Sequence, residues 1–214
     1  MSTLQVLTSD PDTVRDFCVV DLDYLQLNKY PYKPYANVTI DDFVFSGLLT
    51  PADPSLGPSG TSITPAFNRK TLMSTWRGVS CNRLDFVEGV LILPHMHPCA
   101  SKFIYITQGR LYTGFIDTAN RAFVSSSTSP SGKVMILSRG LIHLQLNIGE
   151  GPVSAFAVLN SEKPRFQTIA PSMLGIGVME EVLQKAFWLD ARTVNRLVEE
   201  FVPIAEFIRG MVRL

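Results

Sequence analysis

The three histidines of the 214-residue chain form a pattern that could bind a metal ion. One residue separates His95 from His97, and His143 lies in a second strand-like segment further along. Residues i and i+2 of a β-strand face the same side of a sheet, so both imidazoles of the pair could reach one ion. Three neutral imidazoles suit zinc, iron or manganese and leave coordination positions open. We therefore predict that the three side chains converge on one point, as a metal or catalytic site.

The segments around these histidines are typical of an all-β protein. Runs rich in β-branched and aromatic residues are separated at short intervals by glycine and polar residues. These runs are 82–87, 101–108, 110–116, 133–137, 142–147 and 152–159. Gly109 marks a turn between the second run and the third. Short, regularly spaced strands predict a sandwich or barrel.

The chain divides into three parts by composition, within one structural domain. Residues 1–75 are punctuated by prolines and predict an N-terminal arm with edge strands, 43–49 being a candidate strand. Residues 76–170 are expected to form the barrel core, and 171–214 to form C-terminal helices. The helical pattern predicts helices at 180–187 and 189–201, with a partly apolar tail after Pro203. These helices pack either on the barrel or on another subunit.

Composition excludes several classes of protein. Nineteen basic residues balance nineteen acidic ones, so the chain has no electrostatic signature of a nucleic-acid-binding protein. Charged residues make up only 18%, against about 25% in soluble domains, which suggests apolar surface covered in an oligomer. No stretch of 18 or more apolar residues predicts a membrane span. The first residues lack the basic start and apolar core of a signal peptide. The mature form of a secreted protein would lack them too.

Two motifs carry a family resemblance. The first reads Gly89-x5-His95-x-His97-x4-Lys102-x6-Gly109, and the second reads Gly132-x5-Ser138-x-Gly140-x2-His143-x3-Asn147. With them the chain resembles the germin-like proteins, a plant group of the cupin superfamily. The resemblance implies a cupin jelly-roll barrel and a homo-oligomer, either a dimer or a hexamer assembled from dimers. It also implies an extracellular, apoplastic location and a divalent metal held by His95, His97 and His143.

Lys102 departs from the family pattern, which usually places a metal-binding glutamate at this position. Two unit charges ~4 Å apart interact by about 4 kcal/mol at an effective dielectric constant of about 20, and a divalent ion doubles this repulsion. The ammonium therefore swings away, or the amine is neutral through a depressed pKa, or the metal is weakly held. A site without any metal is a fourth alternative. Because burying an ammonium is costly, we predict that Lys102 is a catalytic residue of the pocket, together with the histidines.

Four further residues are candidates for substrate binding: Asn82, Ile92, Met96 and Asn147. Oxalate oxidases of the family resemble this chain in having an asparagine at the position of Asn82. They carry another asparagine where this chain has Ile92. The apolar run 91–93 favours a larger and less polar ligand than oxalate, unless it belongs to the ordinary barrel core.

The cysteines also differ from the family pattern. Germin-like proteins typically pair a cysteine at the position of Cys18 with one in a following turn, which here reads Tyr30-Pro31-Tyr32. Loss of such a disulfide removes roughly 2–4 kcal/mol of stability in general. Of the other two cysteines, Cys99 follows the histidine pair but is not expected to be a ligand. Asn37 begins an Asn-x-Thr acceptor sequence, which is weak evidence of glycosylation.

Three classes of function are compatible with these features. The first is an enzyme that acts on a small plant specialised metabolite and uses a three-histidine metal site, Lys102 or both. The second is a manganese-dependent oxalate oxidase or superoxide dismutase. The third is a non-catalytic cupin that binds a ligand or serves in the cell wall.

We predict little or no oxidation of oxalate by this protein. Ile92 removes a polar contact and Lys102 removes an anionic ligand from the site that the resemblance implies. The measurement is peroxide release from oxalate by protein that carries its native metal, with metal-stripped protein as the control. Robust, metal-dependent peroxide release would contradict the prediction.

Overall fold

Two antiparallel five-stranded sheets face each other in the computed structural model. It describes Val19 and residues 33–54, 60–66, 78–126, 132–161 and 163–212. The strands are β1 (Thr61–Pro65), β2 (Ser80–Phe86), β3 (Leu91–Met96), β4 (Lys102–Gln108), β5 (Leu111–Ile116), β6 (Ala122–Ser126), β7 (Val134–Leu137), β8 (Ile142–Asn147), β9 (Val153–Leu159) and β10 (Gln167–Thr168). The first sheet has the order β1-β2-β9-β4-β7, and the second has the order β10-β3-β8-β5-β6. This arrangement confirms the predicted all-β, cupin-type barrel.

The core lies between the two sheets because side chains alternate along each strand. In β9, for example, every second residue from Val153 to Leu159 is buried. The buried apolar residues of this core are Leu84, Phe86, Ile92, Ile104, Ile106, Leu111, Leu137, Val153, Ala155 and Ala157. The same alternation points the first residue of β4 and the histidines of β3 and β8 into the space between the sheets.

Gly109 turns the chain from β4 of the first sheet to β5 of the second. Its φ of +81° lies in the left-handed region, where glycine has no steric penalty. A Cβ at this position would lie 2.7 Å from the carbonyl oxygen of Pro152. The turn predicted at this residue therefore needs glycine for two reasons, its backbone conformation and its close neighbour.

The candidate strand at 43–49 is wrong. A 3-10 helix, Ile40–Phe43, occupies its start, and turns and bends follow. The backbone N–H of Thr39 donates to the Asp42 carboxylate at 2.8 Å, and Lys33 forms an ion pair with the same carboxylate at 2.9 Å. These local polar contacts outweigh the β propensity of the apolar residues that follow.

Three helices form the C-terminal part: α1 (Ala170–Leu174), α2 (Glu180–Phe187) and α3 (Ala191–Val212). The helix predicted at 180–187 is confirmed. The second helix does not stop at Phe201, because α3 continues through Pro203. Apolar residues of all three helices pack together, with Leu174, Leu183 and Val194 at the centre. No described helix is both long and apolar enough to cross a lipid bilayer.

Two cysteines in the described part of the chain, Cys81 and Cys99, have free thiols. Asn37, of the acceptor sequence, is exposed at the end of a 3-10 helix, Tyr35–Asn37. Cys18 and the turn at Tyr30-Pro31-Tyr32 lie outside the described residues.

A buried ion pair fixes part of the N-terminal arm to the outer face of the first sheet. Arg83 contacts Asp85 at 2.9 Å and donates to the carbonyl oxygens of Leu48 and Leu49 at 3.0 and 3.2 Å. The Ser154 hydroxyl donates to Asp85 at 2.6 Å. Both charged side chains are largely buried, so the charge of each is compensated by the charge of the other.

We expect Arg83→Met to lower the free energy of unfolding by roughly 3–5 kcal/mol, because it leaves the Asp85 carboxylate buried without its cation. Urea denaturation followed by circular dichroism measures the change. The control is Arg121→Met, which removes an exposed arginine from its pair with Asp117 and should barely move the midpoint. Equal effects of the two substitutions would contradict a special role for the Arg83–Asp85 pair.

Candidate metal centre

His95, His97 and His143 converge in the space between the sheets, as predicted. Their nitrogen ligand atoms all lie within 4.8 Å of one another, and all three residues are buried. His95 lies directly opposite His143 in the pairing of β3 with β8. His97 follows the end of β3, one residue after Met96. The sheet register therefore brings the sequence-distant His143 to the pair.

Backbone carbonyls orient all three imidazole rings. The Nδ1 atoms lie within hydrogen-bond distance of carbonyl oxygens: His95 of Leu93 at 2.7 Å, His97 of Arg165 at 2.6 Å and His143 of Leu141 at 2.8 Å. Each ring donates its Nδ1–H to that oxygen, which leaves the Nε2 lone pair free. Among the described residues, Nε2 of His97 and of His143 has no hydrogen-bond partner. Free, buried Nε2 atoms around one point fit a divalent metal ion.

Burial keeps the imidazoles neutral, which metal binding requires. It lowers the pKa of His97 to about 4 and that of His143 to about 3, with the charge of Lys102 as the second cause in both cases. Burial and Lys102 also hold the pKa of His95 well below its ordinary value. The lone pairs are therefore available at neutral pH.

Lys102, at the start of β4, is buried in the space between the sheets, where its Nζ contacts Gln145 of β8. It is 5% exposed and lies opposite Leu137 on one neighbouring strand and Leu159 on the other. Burial lowers the pKa of its amine to about 7. Of the alternatives for Lys102, the structure excludes a side chain turned out to solvent and favours an amine that is largely neutral above pH 7.

Gln145 is a buried polar residue of the cavity that the sequence analysis missed. It is two residues from His143 on β8, so the alternation of the strand gives both the same inward direction. Its Oε1 accepts a hydrogen bond from Lys102 Nζ at 3.5 Å, and its Nε2 has no partner among the described residues. The period of two from His143 was the signal that could have identified it.

Phe166 is a second residue that the sequence analysis missed. Its ring centroid lies 4.6 Å from that of His95 and 5.9 Å from that of His97. It belongs to the segment before β10, where no periodic pattern predicts the direction of a side chain. The ring gives the histidine cluster an apolar neighbour.

The four predicted substrate contacts have different positions. Asn82 is half-buried and shares the inner face of β2 with Leu84. Ile92 belongs to the barrel core and lies opposite Gln145. Met96 lies between the two histidines of the pair, so strand alternation turns its side chain to the other face of the sheet. That direction argues against contact between Met96 and a ligand in the cavity.

Asn147 stabilises a turn. Its Nδ2 donates to the carbonyl oxygens of Val87 and Gly151 at 2.9 and 2.7 Å. Its Oδ1 accepts from the backbone N–H of Gly149 at 2.9 Å. Because both amide protons are already donated to the backbone, we do not carry Asn147 forward as a substrate contact. Cys99 is exposed, and the described cluster of possible metal ligands consists of the three histidines.

The lowered pKa values predict that stability depends on pH. His97 and His143 titrate at about 4 and 3 in the folded protein, but near 6.5 when unfolded. Between those values the unfolded state binds more protons, so stability falls as the pH drops below 6.5. Lys102 titrates at about 7 when folded and near 10.4 when unfolded, so its unfavourable effect diminishes as the pH rises above 7.

We expect the urea midpoint of the metal-free protein to rise from pH 4 to pH 9. Lys102→Met should stabilise the protein most at pH 7 and below, and should flatten the rise above pH 7. Lys163→Met, at an exposed position, is the matched control and should leave the profile unchanged. If Lys102→Met left the rise of the urea midpoint above pH 7 unchanged, that result would contradict the attribution of this rise to Lys102.

Comparison with known proteins places this geometry in a family. The family described as Cupin matches residues 46–195. Germin-like protein 1-1 of Oryza sativa subsp. japonica is 38% identical over 198 residues, which cover 91% of this chain and 89% of that protein. Germin-like protein subfamily 2 member 3 of Arabidopsis thaliana is 35% identical, over 91% of this chain and 90% of that protein.

A solved structure of similar architecture is an oxalate oxidase in complex with the substrate analogue glycolate. It has a TM-score of 0.78 and 29% sequence identity, and the match covers 91% of this chain and 99% of that one. The region that matches the cupin family, residues 46–195, includes β3, β8 and all three histidines. The chain therefore belongs to the cupin family, and within it to the germin-like proteins.

Proposed function

We propose that this germin-like cupin is an enzyme that acts on a small, fairly apolar plant metabolite bound between the sheets. His95, His97 and His143 hold a divalent metal, and Lys102 acts on the substrate as a base or a nucleophile. The observation that carries the proposal is the burial of Lys102 in the same cavity as the histidines, with its pKa lowered to about 7. A lysine amine near its pKa at neutral pH is suited to proton transfer and to nucleophilic attack.

The metal is manganese, iron or zinc in this proposal, held by the three Nε2 atoms. When bound, a divalent ion supplies Lewis-acid polarisation of a substrate oxygen. The neutral form of Lys102 is compatible with a neighbouring cation, because it carries no charge to repel it. The folded protein can therefore hold a metal and a reactive amine in one cavity.

Two kinds of step are open to Lys102. As a base, its neutral Nζ takes a proton from the substrate and becomes an ammonium. As a nucleophile, Nζ attacks a carbonyl carbon and forms an imine, with loss of the carbonyl oxygen as water. The unpartnered Nε2–H of Gln145 is a donor that can hold a substrate oxygen during either step.

The surroundings of these groups support an apolar substrate. Phe166 packs against two of the histidines, and Leu159 lies beside Lys102. Ile92 and Leu137 belong to the barrel core and make the surroundings of Gln145 and Lys102 apolar. Such a lining stabilises a ligand with a hydrocarbon or aromatic body and a single reactive oxygen group.

Two other functions remain as alternatives. One is a manganese-dependent oxalate oxidase or superoxide dismutase, and similarity to an oxalate oxidase structure supports the first of these two activities. Peroxide release from oxalate or dismutation of superoxide would support this alternative. A non-catalytic ligand-binding or cell-wall cupin is the other, and a ligand retained in the barrel without turnover would support it.

We also propose that the protein is a homo-oligomer, a dimer or a hexamer, and that it functions in the apoplast. Exposed apolar side chains support association between copies. Ile136 of β7 and Trp188 after α2 are 66% and 93% exposed, and Met179 beside α2 is 66% exposed. Relatives in two plants support the proposed location only through the family resemblance.

The test of the function is labelling of Lys102 by benzaldehyde and cyanoborohydride at pH 7, read by peptide mass spectrometry. We expect Lys102 to be labelled faster than exposed Lys163, because about half of its amine is neutral, against roughly one part in a thousand for an ordinary lysine. Lys102→Met, checked by circular dichroism, should lose this label and any turnover of a candidate metabolite.

Elemental analysis of the purified protein completes the test. A stoichiometric divalent metal that is lost from a His95→Ala variant would support the three-histidine site. Protein that labels on Lys163 but never on Lys102 would contradict a reachable, reactive amine. Protein without any metal would leave only the amine chemistry.

A further inference from the structure

We propose that Gln145 is a positioning residue that keeps the Lys102 ammonium out of the metal position. Its side-chain oxygen accepts a hydrogen bond from Lys102 Nζ, and this contact allows one cavity to hold both a lysine and a three-histidine metal site. The inference rests on the proposed function, because it concerns how the metal and the lysine share the cavity.

The histidines and the lysine would otherwise interact directly. Nε2 of His97 and of His143 has a free lone pair with no partner among the described residues. Lys102 lies close enough for its charge to act on all three imidazoles. A protonated lysine has three donors on a flexible stem of four methylene groups. Without another acceptor, the ammonium would donate to these nitrogens and occupy the position of a bound cation.

Gln145 supplies that other acceptor. Among the described residues, its Oε1 is the hydrogen-bond partner of Lys102 Nζ, at 3.5 Å. Gln145 is 0% exposed, so its carbonyl is shielded from bulk water. The nearby Thr113 hydroxyl already donates to the carbonyl oxygen of Leu144. The buried carboxylate of Asp85 is on the opposite face of its strand from Leu84 and pairs with Arg83.

The contact between Lys102 and Gln145 is weak enough to be reversible. A donor–acceptor distance of 3.5 Å is at the long end for a hydrogen bond, so the interaction is weak. The amide is neutral, so it attracts the ammonium less strongly than a carboxylate would. A substrate oxygen can therefore displace Gln145 from Lys102, while in the absence of substrate the amine stays away from the imidazoles.

A double-mutant cycle on metal affinity tests the inference. Zinc binding to chelator-treated protein is measured by calorimetry at pH 6.5 for the wild type, Gln145→Leu, Lys102→Met and the double variant. We expect Gln145→Leu to weaken zinc binding about tenfold when Lys102 is present, the low end for an outer residue of a metal site. In the Lys102→Met background the same substitution should have no effect. Gln167→Leu, at an exposed position on β10, is the matched control.

Every other outcome overturns the inference. Equal losses in both backgrounds would mean that Gln145 acts on the metal site independently of Lys102. No loss with Lys102 present would mean that the contact does not position the amine. Gln145→Met repeats the comparison with a longer, unbranched side chain, in case Gln145→Leu fails to fold.

A metal-free measurement separates this inference from the proposed function. In chelator-treated protein, the ¹⁵N chemical shifts of the histidine Nε2 atoms report whether a donor approaches them. Gln145→Leu should shift these signals as Lys102 turns toward the imidazoles, and the double variant should show no such change. If no variant binds metal, the proposed metal site fails, whereas the NMR comparison still shows whether Gln145 holds Lys102. Unchanged Nε2 signals in Gln145→Leu would overturn the proposal that Gln145 keeps Lys102 away from the imidazoles.

Discussion

The site depends on one electrostatic constraint: three imidazoles and one amine share a buried cavity from which bulk water is excluded. Burial disfavours the charged form of each group and lowers the pKa values of His97, His143 and Lys102. In water the same lysine would be fully protonated at neutral pH and would repel a metal ion. The cavity therefore sets the protonation states that allow its own nitrogen atoms to act together.

The sheets impose this burial through register rather than through any single contact. Pairing of β3 with β8 places His95 beside His143, and after a shift in register it places Ile92 beside Gln145. In the other sheet, pairing of β4 with β7 and β9 places Lys102 between Leu137 and Leu159. A shift of one residue in either sheet would turn these side chains outward. The hydrogen-bond ladder of the backbone thus determines the chemistry of the site.

Much of the site could be predicted because strand alternation is a local rule. The spacing of His95 and His97 required only that their segment be extended, and the motif around His143 supplied the third ring. Gln145, two residues from His143, obeys the same alternation, although a neutral amide gives no sign of metal or acid–base chemistry in the sequence. The hydrogen bonds of Asn147 to two turn carbonyls could not be predicted, because no sequence period identifies them. Phe166 lies in an irregular segment, where nothing local fixes the direction of a side chain.

The fold shows the same division between local rules and tertiary context. The strand-like runs after Ser80 were predicted from the sequence, but the candidate strand at 43–49 was not found. There a 3-10 helix precedes turns and bends, and Arg83 donates to the carbonyl oxygens of Leu48 and Leu49. The predicted second helix ended at Phe201, yet α3 continues through Pro203, and on either side of the proline Phe201 is partly buried and Ala205 is buried. Tertiary contacts accompany both departures from the sequence pattern, and they are polar at 40–49 and apolar along α3. Lys102 also depends on its tertiary surroundings. A lysine beside three imidazoles is tolerable only where burial lowers the pKa of its amine and a neighbouring acceptor, Gln145, is present.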